Sequence, residues 1–146
     1  MNGLKIVCLG GGPASLYFSL LMKKANPGHD ITVIERGPRD ATWGFGVVFS
    51  DDTLRGFMEA DAPSYKRIVE QFAYWDKIET RIHGAKVISG GHGFCGMSRL
   101  KLLNALHDRC EELGVNLRFN TDITDPAQLD IDKQDLVVAG DGITSI

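Results

Sequence analysis

Residues 4–15 read LKIVCLGGGPAS, and residues 31–36 read ITVIER. The first stretch is a short, mostly apolar run that stops at three glycines, which is typical of a strand buried in a parallel sheet. Pro13 suits the first turn of a helix, where its missing N–H costs no hydrogen bond. We therefore predict a helix from Pro13 to about residues 26–28 and a second strand at 31–34. Together these elements predict a parallel βαβ unit.

The glycine turn has the residues of a dinucleotide-binding site. Gly10, Gly12 and Ser15 follow the GxGxxG pattern, with Ser15 at the third glycine position, and Glu35 comes about twenty residues later. Glycines let the backbone approach a pyrophosphate, and the helix N-terminus attracts its charge. A carboxylate at the end of the second strand accepts hydrogen bonds from ribose hydroxyls. Because Glu35 repels a 2′-phosphate, FAD or NAD is favoured over NADP, although Arg36 weakens this argument.

Three further features are candidates for ligand contact, each with a plainer interpretation. Asp141-Gly142 follows a predicted strand at 135–139, whose end faces the ligand crevice of such a sheet, but an ordinary Asp-Gly turn explains it equally well. Arg99 lies at the start of a predicted helix at 98–113 and could contact a phosphate, although it could also be a solvated arginine of the first turn. The helix dipole disfavours a cation there, which favours the ligand role. Residues 43–48, WGFGVV, place glycines beside aromatic side chains, either to receive a flat ring or to anchor a long loop.

The rest of the chain is predicted from apolar periodicity and from turn residues. We expect a loop over 37–52 with an extended segment at 45–49, and helices at 51–60 and 62–71. Two or three antiparallel strands follow over 72–89 with a turn at Gly84, and then a glycine-rich loop at 90–96. The helix at 98–113 is capped by Ser98 and ends at Gly114, followed by a strand at 115–119 and a polar loop at 121–133.

Composition excludes several classes of protein. The chain has 146 residues, of which 43% are hydrophobic and 24% charged, with a net charge of −3, as in one globular domain. No basic cluster indicates nucleic acid, and no apolar run predicts a membrane span or signal peptide, so we expect a cytoplasmic protein. The three cysteines lack metal-site spacing, so no metal is expected. We expect His107 on the helix surface, and no residue can be assigned as catalytic.

Four segments together resemble the FAD-dependent aromatic-ring hydroxylases, the class A flavoprotein monooxygenases. They are GGGPAS at 10–15, VIER at 33–36, SRLKL at 98–102 and DGITS at 141–145. Two more, WGFGVVFSD at 43–51 and GHGFCG at 91–96, are most similar to the hydroxylase portion of the salicylyl-CoA 5-hydroxylase and 2-aminobenzoyl-CoA monooxygenase subfamily. Hydroxylases of the indole or tryptophan type are similar in the same places.

The resemblance implies a role for each matching residue. The FAD diphosphate would lie against the glycine turn and the start of its helix, the adenosine ribose at Glu35 and the adenine beside Arg36. Arg99 would contact the diphosphate or ribityl region, and Asp141-Gly142 would lie in a motif tied to both FAD and NAD(P)H. The isoalloxazine edge would lie near Gly46 and Val47. The turn residues implied in diphosphate binding are Gly10, Gly12, Pro13, Ala14 and Ser15.

The implied fold is α/β: a Rossmann-like FAD-binding domain with a parallel sheet, an N-terminal βαβ unit and a small antiparallel insertion. The resemblance implies that residues 1–146 are the N-terminal, FAD-binding part of a larger monooxygenase, with most of the substrate domain absent. That enzyme would consume NAD(P)H and molecular oxygen and would hydroxylate an aromatic substrate, including aromatic CoA thioesters, through a flavin hydroperoxide. Two alternatives stay open, the NAD-binding domain of a dehydrogenase and a non-catalytic nucleotide-binding fragment.

Overall fold

The computed structural model describes residues 3–142, which form a parallel sheet, a small antiparallel sheet, a separate hairpin and four α-helices. In chain order the elements are β1 (Lys5–Leu9), α1 (Pro13–Ala25), β2 (Asp30–Ile34), β3 (Gly46–Ser50), α2 (Asp51–Ala60), α3 (Ala62–Val69), β4 (Ala73–Trp75), β5 (Ile78–Ile82), β6 (Ala85–Ser89), β7 (Phe94–Ser98), α4 (Arg99–Leu113), β8 (Asn116–Arg118) and β9 (Leu136–Ala139). Two short 3₁₀ turns, Pro126–Leu129 and Ile131–Lys133, precede β9.

The parallel sheet has the strand order β8-β2-β1-β9, and β1 pairs with β2 on one side and with β9 on the other. Successive side chains of a strand point to opposite faces. Ile6 and Cys8 accordingly face the core formed with α1 and α4, whereas Val7 faces Ile123 and Leu129 on the opposite side. Both faces of β1 are therefore covered, which explains why its sequence is a nearly continuous apolar run.

The larger core lies between the sheet and the pair of helices α1 and α4. Leu16 and Leu20 of α1 are fully buried, as are Leu106 and Cys110 of α4. Helix α4 ends at Gly114, which adopts the left-handed conformation with φ of 85° that favours glycine at this position. The packing of α4 against α1 fixes the start of each helix relative to the sheet.

A buried ion pair ties the α2–α3 junction to α4. Asp61 is completely buried, and its carboxylate accepts hydrogen bonds from Nε and Nη2 of Arg109, both at 3.0 Å, and from the backbone N–H of Ser64. Burial by itself raises the pKa of Asp61, but the hydrogen bonds from Arg109 and Ser64 outweigh it and leave the pKa lowered. Asp61 therefore stays ionised at neutral pH and holds α3 against α4.

The antiparallel part consists of two separate units. Strand β7 lies between β3 and β4, while β5 and β6 form a hairpin whose residues are all exposed. His83 and Gly84 both have positive φ at the hairpin turn, as the common two-residue turn requires. The predicted turn at Gly84 is confirmed.

Most predicted elements are confirmed, and the main differences fall in the glycine-rich and antiparallel regions. The prediction of a loop at 90–96 was wrong for its last residues, because Phe94–Ser98 is the central strand of the β3-β7-β4 sheet. The predicted antiparallel pairing within 72–89 holds only for β5 and β6, since β4 pairs with β7. Helix α3 ends at Val69, two residues before the predicted end. Ser98 lies at the N-cap of α4 without a capping side-chain hydrogen bond.

The expected α/β class, with a parallel sheet and an antiparallel part, is confirmed. Across residues 3–142, no helix has both the length and the apolar character needed to cross a membrane. The same range contains no group of three His, Cys, Asp or Glu side chains placed to hold a metal ion. All three cysteines are buried and free.

Candidate functional site

The turn after β1 passes very close to the end of β9. Gly10 has φ of 92°, and a Cβ built on it would lie 2.5 Å from the carbonyl oxygen of Gly140. Any other residue would be strained by this φ and would also collide with the neighbouring backbone. The N–H of Gly10 donates to the carbonyl of Ile34, 2.8 Å away, so the turn is also joined to the end of β2.

Ser15 replaces the third glycine of the motif, and the residue that faces it after β9, Gly140, has no side chain. Ser15 is buried, and a Cβ built on Gly140 would lie 2.1 Å from Ser15 Oγ. The glycine that permits close packing of helix and strand thus stands at residue 140 rather than at residue 15. The small residue expected at position 15 is confirmed as a packing contact.

The N-terminus of α1 opens onto free space beside this turn. Gly12 is the N-cap residue and offers no capping side chain, and Pro13 occupies the first turn. A Cβ built on Gly12 would meet no atom within 4 Å. The first turn carries no acidic residue, so the positive end of the helix dipole is available to an anion.

Glu35 connects the glycine turn to the loop that follows β2. Its Oε2 accepts a hydrogen bond from the N–H of Gly11 at 2.7 Å, and its Oε1 accepts one from the N–H of Gly37 at 2.8 Å. A carboxylate oxygen has two lone pairs, so each oxygen keeps a position for one more donor. Glu35 therefore shapes the turn and still retains capacity to accept hydrogen bonds from ribose hydroxyls.

Two pockets meet at Glu35. The first, which we call the strand-end pocket, lies at the carboxyl ends of β1, β2 and β9, where open parallel sheets bind ligands. It brings together Gly10, Glu35, Arg36 and Asp141, four of the residues predicted from sequence. Its lining consists of Leu9, Gly10, Ile34, Glu35, Arg36, Thr121, Asp122, Ile123 and Asp141.

The second, which we call the arginine pocket, lies between the glycine turn and α4. Three buried polar atoms among its lining residues have no hydrogen-bond partner within the described part of the chain: Thr42 Oγ1, Arg99 Nε and His107 Nδ1. Buried polar groups are nearly always paired, so three unpaired ones at one pocket mark it as a candidate ligand site. The lining consists of Gly11, Gly12, Glu35, Pro38, Arg39, Ala41, Thr42, Trp43, Arg99, Leu103, His107 and Phe119.

His107 corrects the sequence interpretation. We expected it on the helix surface, but only 2% of it is exposed, and its ring meets Phe119 edge-on at 5.0 Å between centroids. Burial, reinforced by the nearby Arg39 guanidinium, lowers the pKa of His107 to about 4. The ring is therefore neutral at neutral pH. The sequence did contain a usable signal, which is the spacing of His107 from Arg99. Leu103 and His107 follow Arg99 by four and eight positions, so the three residues share one face of the helix.

The predicted Gly46 and Val47 lie apart from these two pockets, on β3. A Cβ built on Gly46 would lie 2.8 Å from the Met97 carbonyl oxygen, so a glycine there lets β3 approach β7. Val47 lines an apolar cavity that also contains the predicted residues Pro13 and Ala14. The full lining is Pro13, Ala14, Tyr17, Val47, Phe49, Phe57, Leu102 and Leu106.

The last predicted motif is only partly described. Asp141 lines the strand-end pocket, and Gly142 follows it with φ of 83°. Ser145, the end of the Asp-Gly-x-x-Ser motif, lies outside the described residues. Trp43 and Phe45, which lie in the loop before β3, are both exposed to solvent.

Known proteins resemble this chain in sequence, and solved structures resemble it in fold. Salicyloyl-CoA 5-hydroxylase of a Streptomyces species is 41% identical over 142 residues, which cover 97% of this chain and 27% of that protein. A 3-hydroxy-4-methyl-anthranilyl-[aryl-carrier protein] 5-monooxygenase of Streptosporangium sibiricum is 34% identical over 98% of this chain and 39% of that protein. This chain thus spans less than two-fifths of the length of these relatives. No protein-family model matches the chain.

Among solved structures, a 2-methyl-3-hydroxypyridine-5-carboxylic acid oxygenase has a TM-score of 0.70 and 22% identity, over 84% of this chain and 33% of that one. CtdE in complex with FAD has a TM-score of 0.63 and 17% identity, over 85% of this chain and 32% of that one. The predicted resemblance to aromatic hydroxylases is therefore confirmed, because the chain is homologous to part of named aromatic monooxygenases. The predicted Rossmann-like α/β fold is confirmed, because both of these structures share it with this chain.

The Ser15–Gly140 contact predicts a specific rescue. Gly140→Ala places a methyl group against Ser15 Oγ and is expected to destabilise the chain by about 1–3 kcal/mol, the usual effect of overpacking. In the double variant Ser15→Gly, Gly140→Ala the colliding atom is absent, and stability is expected to recover substantially. Urea unfolding followed by circular dichroism measures both changes. Equal destabilisation of the single and double variants would contradict the assigned contact.

His107 predicts a loss of stability in mild acid. Its pKa is about 4 in the folded protein against an ordinary 6.5, so the unfolded chain binds a proton more readily. The neutral ring therefore favours folding fully above pH 6.5, and this contribution is lost as the pH falls from 6.5 to 4. The full effect is about 3 kcal/mol, from 2.5 pH units at 1.36 kcal/mol each. Unfolding free energies of wild type and His107→Asn across this range test it, with exposed His83→Asn as control. Parallel curves for wild type and His107→Asn would contradict it.

Proposed function

We propose that this chain forms the part of a FAD-dependent aromatic monooxygenase that holds the ADP half of the flavin. The observation that carries the proposal is the arginine pocket, where the glycine turn, Glu35 and Arg99 line one cavity with three unpartnered buried polar atoms. The open N-terminus of α1 and the spare lone pairs of Glu35 suit a diphosphate and a ribose. The residues present therefore fit the cofactor.

In this proposal the adenosine lies in the strand-end pocket. Glu35 accepts hydrogen bonds from the ribose hydroxyls, and Arg36 lies beside the adenine. Both residues line the pocket at the end of β2, and Asp141 faces them from the end of β9. The negative charge of Glu35 selects against a 2′-phosphate on this ribose, as the sequence predicted.

The diphosphate lies between the first turn of α1 and the first turn of α4. The segment from Gly10 to Ser15 supplies backbone approach and the positive end of the helix dipole. Arg99 supplies a guanidinium, and its buried Nε has a hydrogen left to donate. The isoalloxazine edge then lies near Gly46 and Val47, next to the apolar cavity that Pro13 and Ala14 also line.

The reaction we propose is hydroxylation of an aromatic ring. When bound, FAD supplies the redox chemistry, in which NAD(P)H and molecular oxygen are consumed and one oxygen atom enters the ring. This chain binds and orients the cofactor, and its apolar cavity next to Val47 excludes water from one side of the site. Asp141-Gly142 is the segment that we propose acts toward both FAD and NAD(P)H.

For the substrate we propose an aromatic acyl group carried as a thioester. One relative is named for salicyloyl-CoA and another for an anthranilyl group on an aryl-carrier protein, so both names describe an aromatic acyl group on a carrier. We further propose that residues 1–146 are the FAD-binding domain of a longer monooxygenase, whose remaining part is its partner in catalysis. A cytoplasmic location stays a prediction.

Arg99 provides the test. Arg99→Gln is expected to weaken FAD binding about tenfold or more, because a charged hydrogen-bond donor to phosphate is lost in a buried setting. Lys101→Gln, a neighbouring exposed cation of α4, is the matched control and is expected to bind FAD as the wild type does. Quenching of flavin fluorescence on titration measures each dissociation constant.

Two results would contradict the proposal. If the folded wild-type chain bound NAD but not FAD, a dehydrogenase domain would be the better interpretation. If Arg99→Gln and Lys101→Gln weakened FAD binding equally, the effect would reflect net charge rather than a contact in the arginine pocket.

A further inference from the structure

Thr42 and His107 lie outside every segment that suggested a cofactor site from the sequence. Thr42 belongs to the loop between β2 and β3, and His107 lies in the middle of α4. Both nevertheless line the arginine pocket together with Gly12 and Arg99. Their polar atoms, Thr42 Oγ1 and His107 Nδ1, are buried and have no partner among the described residues.

The position of His107 follows from helix geometry and from one aromatic contact. Residues 99, 103 and 107 repeat at a spacing of four, which places them along one face of α4. All three line the arginine pocket. Phe119 packs edge-on against the His107 ring, and Arg39 lies 5.8 Å above the Phe119 ring centroid. Arg39 is held in turn by ion pairs with Asp108 and Glu111.

These contacts fix the ring but use none of the hydrogen-bonding capacity of Nδ1. A buried polar atom without a partner costs free energy that folding has to offset. The ring is neutral, because burial and Arg39 lower the pKa of His107 to about 4. A neutral imidazole donates one hydrogen bond without adding a positive charge beside Arg39 and Arg99.

We propose that Thr42 Oγ1 and His107 Nδ1 donate hydrogen bonds to a phosphate oxygen of the bound dinucleotide and position its diphosphate beside Arg99. The inference rests on the proposed function and names two further binding residues for it. A phosphate is favoured over a ribose, because the guanidinium groups of Arg39 and Arg99 and the helix start at Gly12 line this pocket, against the single carboxylate of Glu35. Glu35, the expected ribose acceptor, lies at the junction with the strand-end pocket.

Paired substitutions at the two residues test the proposal. An Asn side chain places its amide nitrogen near the position of Nδ1, whereas Gln places it near Nε2, so His107→Asn keeps the proposed donor and His107→Gln loses it. Likewise Thr42→Ser keeps the hydroxyl, and Thr42→Val replaces it with a methyl group. Isothermal titration of the 146-residue chain uses ADP and adenosine as probes, with thermal unfolding by circular dichroism as the check on folding.

We expect the substitutions to weaken binding of ADP, which carries phosphate, and to leave binding of adenosine unchanged. His107→Gln and Thr42→Val are expected to bind ADP about tenfold more weakly than wild type, while His107→Asn and Thr42→Ser stay within about twofold. Adenosine binding is expected to be unchanged in all four variants. Should the His107 variants fail to fold, the Thr42 pair carries the same comparison, because Thr42 lies in a loop and not in the core.

Three outcomes would overturn the inference or its basis. Wild-type affinity for ADP in both His107→Gln and Thr42→Val would remove the two residues from the binding site. Equal losses for adenosine and ADP would overturn the assignment to phosphate. If the wild-type chain bound neither ADP nor FAD, the proposed function itself would fail, and this result is distinguishable because it appears before any substitution is made.

Discussion

The close approach of the turn after β1 to the end of β9 is the constraint on which the site depends. Gly10 and Gly140 have no space for a side chain, and Ser15 fills the gap that remains between helix and strand. The hydrogen bonds from Gly11 and Gly37 to Glu35 extend the same arrangement to β2. The ends of β1, β2 and β9 and the start of α1 are thereby held together. The two pockets lie where these four elements meet.

The arginine pocket has polar groups that folding alone does not satisfy. Thr42, Arg99 and His107 each have a buried atom without a partner among the described residues, and each such atom costs stability. A ligand that pairs with these atoms would recover that cost on binding, and it would stabilise the folded state by an amount that rises with the logarithm of its concentration above Kd. A pocket whose groups the fold already holds in place would lower the ordering cost that a ligand has to offset.

The sequence predicted the parts of the structure that depend on local patterns. The β1 run, the glycine turn, Pro13 and the Gly114 helix end are each specified by a few neighbouring residues, and Glu35 and Arg99 fall where their motifs place them. Strand β7 was missed, because its pairing with β3 and β4 joins distant segments, and because Gly96 and the three glycines just before the strand resemble a loop. His107 was misplaced, because its burial is decided by Phe119 and Arg39, which come from other parts of the chain.

The most direct test of the central claim is a nitrogen-15 NMR titration of the chain with FAD. We predict that the backbone amides of Gly10–Gly12, Ala14–Ser15, Glu35–Gly37 and Arg99–Leu103 shift with a common dissociation constant, since these segments line the two pockets or adjoin them. The amides of the exposed β5–β6 hairpin are predicted to keep their positions. Shifts confined to the hairpin, or an unchanged spectrum of the glycine turn at saturating FAD, would contradict the account.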